Sequence, residues 1–155
     1  LPALVCSNVK DVDDCSSDNS YNIARKIKGI KLFKHKENKG KGAAVKTALK
    51  HATGDIFLVQ DADLELDPVQ IPKIIEPIIK GKALVVYGSR NLKRGRGERS
   101  PIFYFGGLLV TVIANFLYNI KLTDEACGYK VFKMSVIRGI NIKNNRKITF
   151  FKLFI

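Results

Sequence analysis

Apolar residues fall along the chain in two rhythms. Short, nearly continuous runs occur at Ala3-Leu4-Val5-Cys6 with Val9 to Val12, at Ile30 to Lys34, at Ile56-Phe57-Leu58-Val59 and at Ala83-Leu84-Val85-Val86-Tyr87-Gly88. Runs of this length and β-branched content predict strands. The third has no polar position, as a central strand buried on both faces would have. Between the runs, apolar residues recur at intervals of three and four. This spacing predicts helices over Tyr21 to Ile27, over Ala43 to Ala52 with Gly54 as the stop, and from Asp67-Pro68 to about Lys80 in spite of Pro72 and Pro77. Strands alternating with helices imply right-handed crossovers and an α/β fold with a mostly parallel sheet flanked by helices. Ligands of such sheets bind beyond the carboxyl ends of the strands.

A different pattern begins at Ile102. Nineteen residues to Ile120 carry no charge, with Arg90, Lys93, Arg94, Arg96 and Arg99 in front and Lys121 behind. The length could span a bilayer. Gly106, Gly107, Thr111, Asn115 and Asn119 interrupt it, so a buried helix or one lying on a membrane surface is the better expectation. The basic stretch before it would then face phosphate or anionic lipid. Beyond Lys133 no element stands out, and residues 136–155 read as an atypical tail to a domain of residues 1–135.

The 155 residues suit one domain, and 46% hydrophobic with 26% charged residues permits a buried core. Three cysteines, Cys6, Cys15 and Cys127, have neither metal-finger nor disulfide-framework spacing, which points to a reducing, cytosol-facing compartment. No signal peptide is visible, because Leu1-Pro2-Ala3 lacks a basic n-region, and a start without methionine reads as an incomplete N-terminus.

The net charge of +13 favours anionic partners. The acids say more than the bases. Eight of the 14 lie in two groups, Asp11, Asp13, Asp14 and Asp18, and Asp61, Asp63, Glu65 and Asp67. Both groups follow predicted strands, so both would face one rim of the sheet. Asp61 and Asp63 flank the small Ala62 at the end of an apolar strand, where two carboxylates can share a hard cation. Mg²⁺ or Mn²⁺ held this way completes its shell with substrate phosphates. Glu65 could be a third ligand or hold a ligating water. The upstream acids could accept bonds from a base N–H or a ribose hydroxyl.

Other chemistries fit less well. Gly40-Lys41-Gly42 lacks the G-x-x-x-x-G-K-[ST] spacing of a phosphate loop, so its glycines read as a tight loop close to a ligand. His35 and His51, the only histidines, read as surface residues in basic surroundings. A nucleic-acid module would interleave aromatics with a basic face. Here Phe103, Tyr104, Phe105, Phe116 and Tyr118 fall in the apolar segment, and the acidic clusters stay unexplained, so nucleic acid is not an expected partner.

Four blocks carry a resemblance. Val12-Asp13-Asp14-Cys15-Ser16-Ser17-Asp18-Asn19-Ser20 resembles the V-D-D-x-S-x-D-x-[ST] signature of inverting glycosyltransferases of the Rossmann-like GT-A fold. Asn38-x-Gly40-x-Gly42-Ala43-Ala44, Ala52-x-Gly54-Asp55-Ile56 and Asp61-Ala62-Asp63-Leu64 resemble the next block. Gly88-Ser89-Arg90 resembles the third, and Leu122-Thr123-Asp124-x-x-Cys127-Gly128-Tyr129-Lys130-x-Phe132 the fourth. In this order the blocks are most similar to the polyprenyl-phosphate sugar transferases of the glycosyltransferase family 2 type.

The resemblance implies transfer of a hexose from a nucleotide-diphospho-sugar, GDP-mannose or a UDP-sugar, to a polyprenyl or dolichyl phosphate, with inversion. It places Val12 and Asp14 in the nucleoside pocket, and Asp61, Ala62 and Asp63 at the donor diphosphate. It puts the metal on Asp61, Asp63 and Glu65. Arg90 and Arg99 would meet the acceptor phosphate, and Asp63 and Asp124 would be the catalytic carboxylates, Asp124 near the acceptor as a base. The lipid acceptor implies peripheral attachment at the cytoplasmic face of a membrane. The family's opening strand with its Pro-x-Tyr-Asn-Glu-like turn is not present, and residues 140–155 do not resemble its continuation. A chain truncated at both ends, and with it an inactive remnant of the fold, is therefore the alternative expectation.

Overall fold

A computed structural model describes residues 8–62, 66–89, 101–125 and 127–140. The order of elements is β1 (Lys10–Asp13), α1 (Ser20–Ala24), β2 (Lys31–Lys34), α2 (Lys41–Lys50), β3 (Ile56–Val59), a 3₁₀ turn (Pro68–Gln70), α3 (Ile71–Ile79), β4 (Val85–Tyr87), α4 (Pro101–Tyr118), β5 (Lys130–Lys133) and α5 (Met134–Arg138). The architecture is mixed α/β with a parallel pair and flanking helices. The described residues divide into two compact units, one up to Phe57 and again from Met134, the other Leu58–Lys133.

In the first unit β1 and β2 run parallel, with Lys10 opposite Lys31 and Asp13 opposite Lys34. Helix α2 packs on β1 through the buried Ala43 and Val45. Gly40 is its N-cap, at φ +85, a left-handed conformation that glycine adopts without steric cost. Helix α5 is tied back by Met134 N–H donating to the Asp55 carbonyl and by the Arg138 guanidinium donating to the Ala52 carbonyl. It buries Met134 and Ile137.

The three-stranded sheet has the order β3-β5-β4, with β4 and β5 in the second unit. The strand at Lys130–Lys133 was absent from the sequence-based expectation, and it takes the middle place that the apolar run of β3 led one to expect for β3. It pairs antiparallel with β4, Val85 opposite Phe132 and Tyr87 opposite Lys130. Val131 and Phe132 are wholly buried, and Ile75 and Ile78 of α3 join them. Asp67 caps the 3₁₀ turn by accepting from Val69 N–H, with Pro68 in the position that needs no donor.

Helix α4 covers most of the apolar segment. Among the described residues no helix is long and apolar enough to cross a membrane. The polar residues that interrupted the segment now have work. Asn115 and Leu122 exchange two hydrogen bonds of 2.8 Å, and the Thr111 hydroxyl accepts from Glu125 N–H at 3.0 Å. They clip the loop of residues 122–125 onto the helix. The outward face keeps Phe105, Leu109, Val112, Phe116 and Leu117 exposed, Phe116 at 86%.

Candidate functional site

The first half of the candidate site lies in the first unit, where β1 ends. Asp13 is buried: its Oδ1 accepts from Ser16 N–H at 3.2 Å, and Lys34 Nζ stands 3.9 Å from Oδ2. Cys15 follows at φ +65, a strained left-handed conformation for a residue with a Cβ. It turns the chain so that Ser16 N–H points back at Asp13. Val12, half-buried, is opposite Phe33 in the ladder.

Asp14 is the most heavily bonded carboxylate of this unit. It accepts from His35 Nδ1 at 2.5 Å, from Lys39 N–H at 3.0 Å and from Gly40 N–H at 2.6 Å. Burial pulls its pKa upward, but the bonds from His35, Lys39 and Gly40 outweigh that and leave it below the ordinary value. The other ring nitrogen of His35 lies 2.9 Å from the Thr47 hydroxyl of α2. With the proton on Nδ1 facing Asp14, Nε2 accepts from Thr47. His35 is therefore no surface residue, since its side chain is only 12% exposed. His51 is exposed, as a surface residue, and stacks on Phe33 at 4.3 Å between ring centroids.

The second half lies in the second unit, where β3 ends. Asp61 follows it, half-exposed, and Ala62 is exposed. A Cβ placed on Gly128 would stand 2.6 Å from Asp61 Oδ2 and 3.1 Å from Leu66 Cδ1. Glycine is thus the residue that lets the fourth block lie against the first carboxylate of Asp61-Ala62-Asp63. Gly88 of the third block has the same relation to the fourth, with a Cβ there 2.8 Å from Tyr129 Cβ and 3.0 Å from Cys127 Sγ. Three of the four blocks meet here.

Asp124 is 3% exposed on the loop that α4 clips. Next to it Glu125 receives Lys130, whose Nζ donates to the Glu125 carbonyl at 2.9 Å, stands 3.6 Å from its carboxylate and lies 5.1 Å from the Tyr87 ring centre. Burial, with the Glu125 charge adding to it, pushes the Tyr87 phenol up to about 12. The sequence places this buried cation and Gly128 in the fourth block without a role of their own, and it reads His35 only as a surface residue.

Asp63, Glu65, Arg90 and Arg99 lie outside the described residues. Among the described residues no three carboxylate, histidine or cysteine groups gather as a metal cluster. Asp61 by itself offers a partly exposed hard oxygen donor at a strand end. That suits a cation held by one or two carboxylates and completed by substrate phosphates.

Comparison with known proteins covers the stretch that carries the blocks. The pattern of glycosyl transferase family 2 matches residues 11–140. A dolichol-phosphate mannosyltransferase of Pyrococcus furiosus is 33% identical over 84% of this chain and 39% of its own length. A UDP-N-acetylglucosamine–dolichyl-phosphate N-acetylglucosaminyltransferase of Methanococcus voltae is 30% identical over 86% of this chain and 61% of its own. A dolichyl-phosphate beta-glucosyltransferase of Trichomonas vaginalis is 33% identical over 83% and 41%. The chain thus spans roughly two to three fifths of the length of these relatives. Among solved structures, TarS of S. aureus has the same fold, with a TM-score of 0.54 at 19% identity over 85% of this chain and 39% of that one. The chain belongs to glycosyl transferase family 2.

Proposed function

We propose that this chain is the donor-binding core of an enzyme that moves a hexose from a nucleotide-diphospho-sugar, GDP-mannose or a UDP-sugar, onto a polyprenyl or dolichyl phosphate. The observation that carries the reading is Asp61 at the end of β3, seated against Gly128 of the fourth block. Relatives named for transfer to dolichyl phosphate supply the acceptor class.

Asp61 and Asp63, with Glu65, would hold Mg²⁺ or Mn²⁺ at the donor diphosphate, and Ala62 would leave room beside it. When bound, the cation stabilises negative charge on the departing nucleoside diphosphate. Val12 lines the nucleoside pocket. Asp14 gives its oxygens to His35, Lys39 and Gly40, so it fixes the loop at the pocket's edge. Arg90 and Arg99 take the acceptor phosphate, whose geometry suits a guanidinium fork. An acceptor oxygen attacks the anomeric carbon, the bond to the diphosphate breaks, and the configuration inverts. The acceptor is already ionised at neutral pH, so the chemistry rests on positioning and charge. Asp124, almost fully buried, would act by orienting its neighbours more readily than as a base. The test is incubation with radiolabelled GDP-mannose or UDP-sugars, a polyprenyl phosphate and Mn²⁺. The reading expects label in the lipid fraction. A folded protein that transfers none of them contradicts it and leaves the remnant.

The outward face of α4 supports a peripheral site at a membrane; the cytoplasmic side is part of the proposal and does not rest on that face. Burying one phenylalanine in the lipid interface contributes about 1.5–3 kcal/mol. Phe116→Glu should therefore lower association with phospholipid vesicles by about tenfold or more in a sedimentation assay, with the melting temperature unchanged, because Phe116 is 86% exposed. Equal sedimentation of both proteins would remove α4 from the contact.

A further inference from the structure

The first unit carries a cleft of about 670 Å³ along one side of α2, lined among others by His35, Lys39, Lys46, Thr47, Lys50 and Arg138. Its volume lies in the range of small-ligand pockets. Four of the six residues named are fixed cations and none is a carboxylate. Lys46 and Lys50 stand one helical turn apart on the same face, a like-charge pair that destabilises the helix that carries it. Among the described residues neither has an ion-pair partner, and Lys39 alone has one, Glu37 at 3.7 Å on the surface. The floor is ordered. His35 is held between Asp14 and Thr47, which fixes its ring and places the Thr47 hydroxyl at the cleft wall. Arg138 enters from α5, anchored through the Ala52 carbonyl.

We propose that this cleft is a binding site for a compound bearing a diphosphate or several phosphate groups, taken up without a metal ion. Lys46 and Lys50 are spaced to neutralise charges on neighbouring phosphates, and the bound anion removes their mutual repulsion. Arg138 adds a planar fork that fits phosphate oxygens. Thr47 gives a hydroxyl donor once its bond to His35 is exchanged for the ligand. A single carboxylate would leave most of these cations unanswered. The cleft shares His35 and Lys39 with the loop that Asp14 fixes at the nucleoside edge, but the proposal needs neither Asp61 nor a cation.

The test is calorimetric titration of the whole chain with inorganic pyrophosphate in the presence of EDTA, which leaves the metal-dependent mode silent. A parallel arm measures sedimentation with phosphatidylcholine vesicles with and without phosphatidic acid, to distinguish a free phosphate compound from a lipid headgroup. Three proteins are compared: the native chain, Lys46→Gln/Lys50→Gln, and Lys26→Gln/Lys28→Gln. The last loses the same charge from exposed positions outside the cleft. The proposal expects the first double variant to bind roughly tenfold more weakly or worse, the weight of one hydrogen bond to a charged group, and the second to bind as the native chain does. Loss in the pyrophosphate arm identifies a soluble ligand, and loss confined to the vesicle arm identifies a headgroup. Equal weakening in both double variants means general charge attraction and overturns the proposal, as does absence of binding in both arms by a native chain that melts cooperatively.

Discussion

Gly128→Ala should lower affinity for metal and donor by about ten- to a hundredfold while leaving the fold nearly as stable as before. The reason is local. The new methyl would stand 2.6 Å from Asp61 Oδ2 and 3.1 Å from Leu66 Cδ1, and both are ends of side chains. Side-chain ends rotate away at modest cost, so the strain is relieved by moving the Asp61 carboxylate. Removing a group that orients a metal ligand commonly costs ten- to a hundredfold in affinity. Gly88→Ala is the informative contrast. Its methyl would meet Tyr129 Cβ at 2.8 Å and Cys127 Sγ at 3.0 Å, and both residues are 1% exposed. Nothing there can rotate aside, so overpacking of about 1–3 kcal/mol is expected. Urea melts of both variants, with Mn²⁺ titrations alongside, check the pair. A Gly128→Ala protein that binds Mn²⁺ as the native chain does would detach the fourth block from Asp61.

Asp14→Ala should be among the most destabilising substitutions in the first unit, by about 2–4 kcal/mol. It removes the acceptor of His35 and of two backbone N–H groups, and a part-buried donor left without a partner costs about 1–3 kcal/mol. The effect depends on pH in a defined direction. The folded pKa of Asp14 is below the ordinary value of 3.8. Its contribution is therefore complete well above pH 3.8 and lost as pH falls through the folded value. Urea melts at pH 7 and near pH 3 measure the difference between native chain and variant. It should be largest at pH 7 and shrink in acid. A difference that grows in acid would mean that the bonds favour the protonated form.

Much of this was legible in the sequence, and the rest was hidden for physical reasons. The run Ile56–Val59 and the three- and four-residue spacing over Ala43 to Ala52 announced β3 and α2, the helix itself running Lys41–Lys50. Asp67-Pro68 announced the cap before α3, and α3 continues through Pro77. Strand β5 was not legible. Its two apolar residues, Val131 and Phe132, sit between lysines, and Lys130 is buried against Glu125 and Tyr87, which no periodicity signals. His35 looked like a surface residue because its partner Asp14 lies 21 positions earlier. The parallel ladder of β1 and β2 brings them together, since His35 N–H donates to the Asp13 carbonyl just beyond the last pair. A reading that had paired the two strands in parallel would have found it. Thr111 and Asn115 were visible as interruptions of an apolar segment, but their use in clipping the 122–125 loop depends on how the chain returns to α4. The acids themselves were evident, whereas the glycine against which Asp61 rests becomes meaningful only when the fourth block is folded back onto the end of β3.

The most direct test of the central claim is calorimetric titration of GDP and UDP into the native chain and into Asp61→Asn, each with and without Mn²⁺. The account predicts that one of the two nucleotides binds the native chain with Mn²⁺, that binding falls about tenfold or more when the cation is withheld, and that Asp61→Asn abolishes the dependence on Mn²⁺. Nucleotide binding of equal strength in Asp61→Asn and in the native chain, with or without the cation, would contradict it.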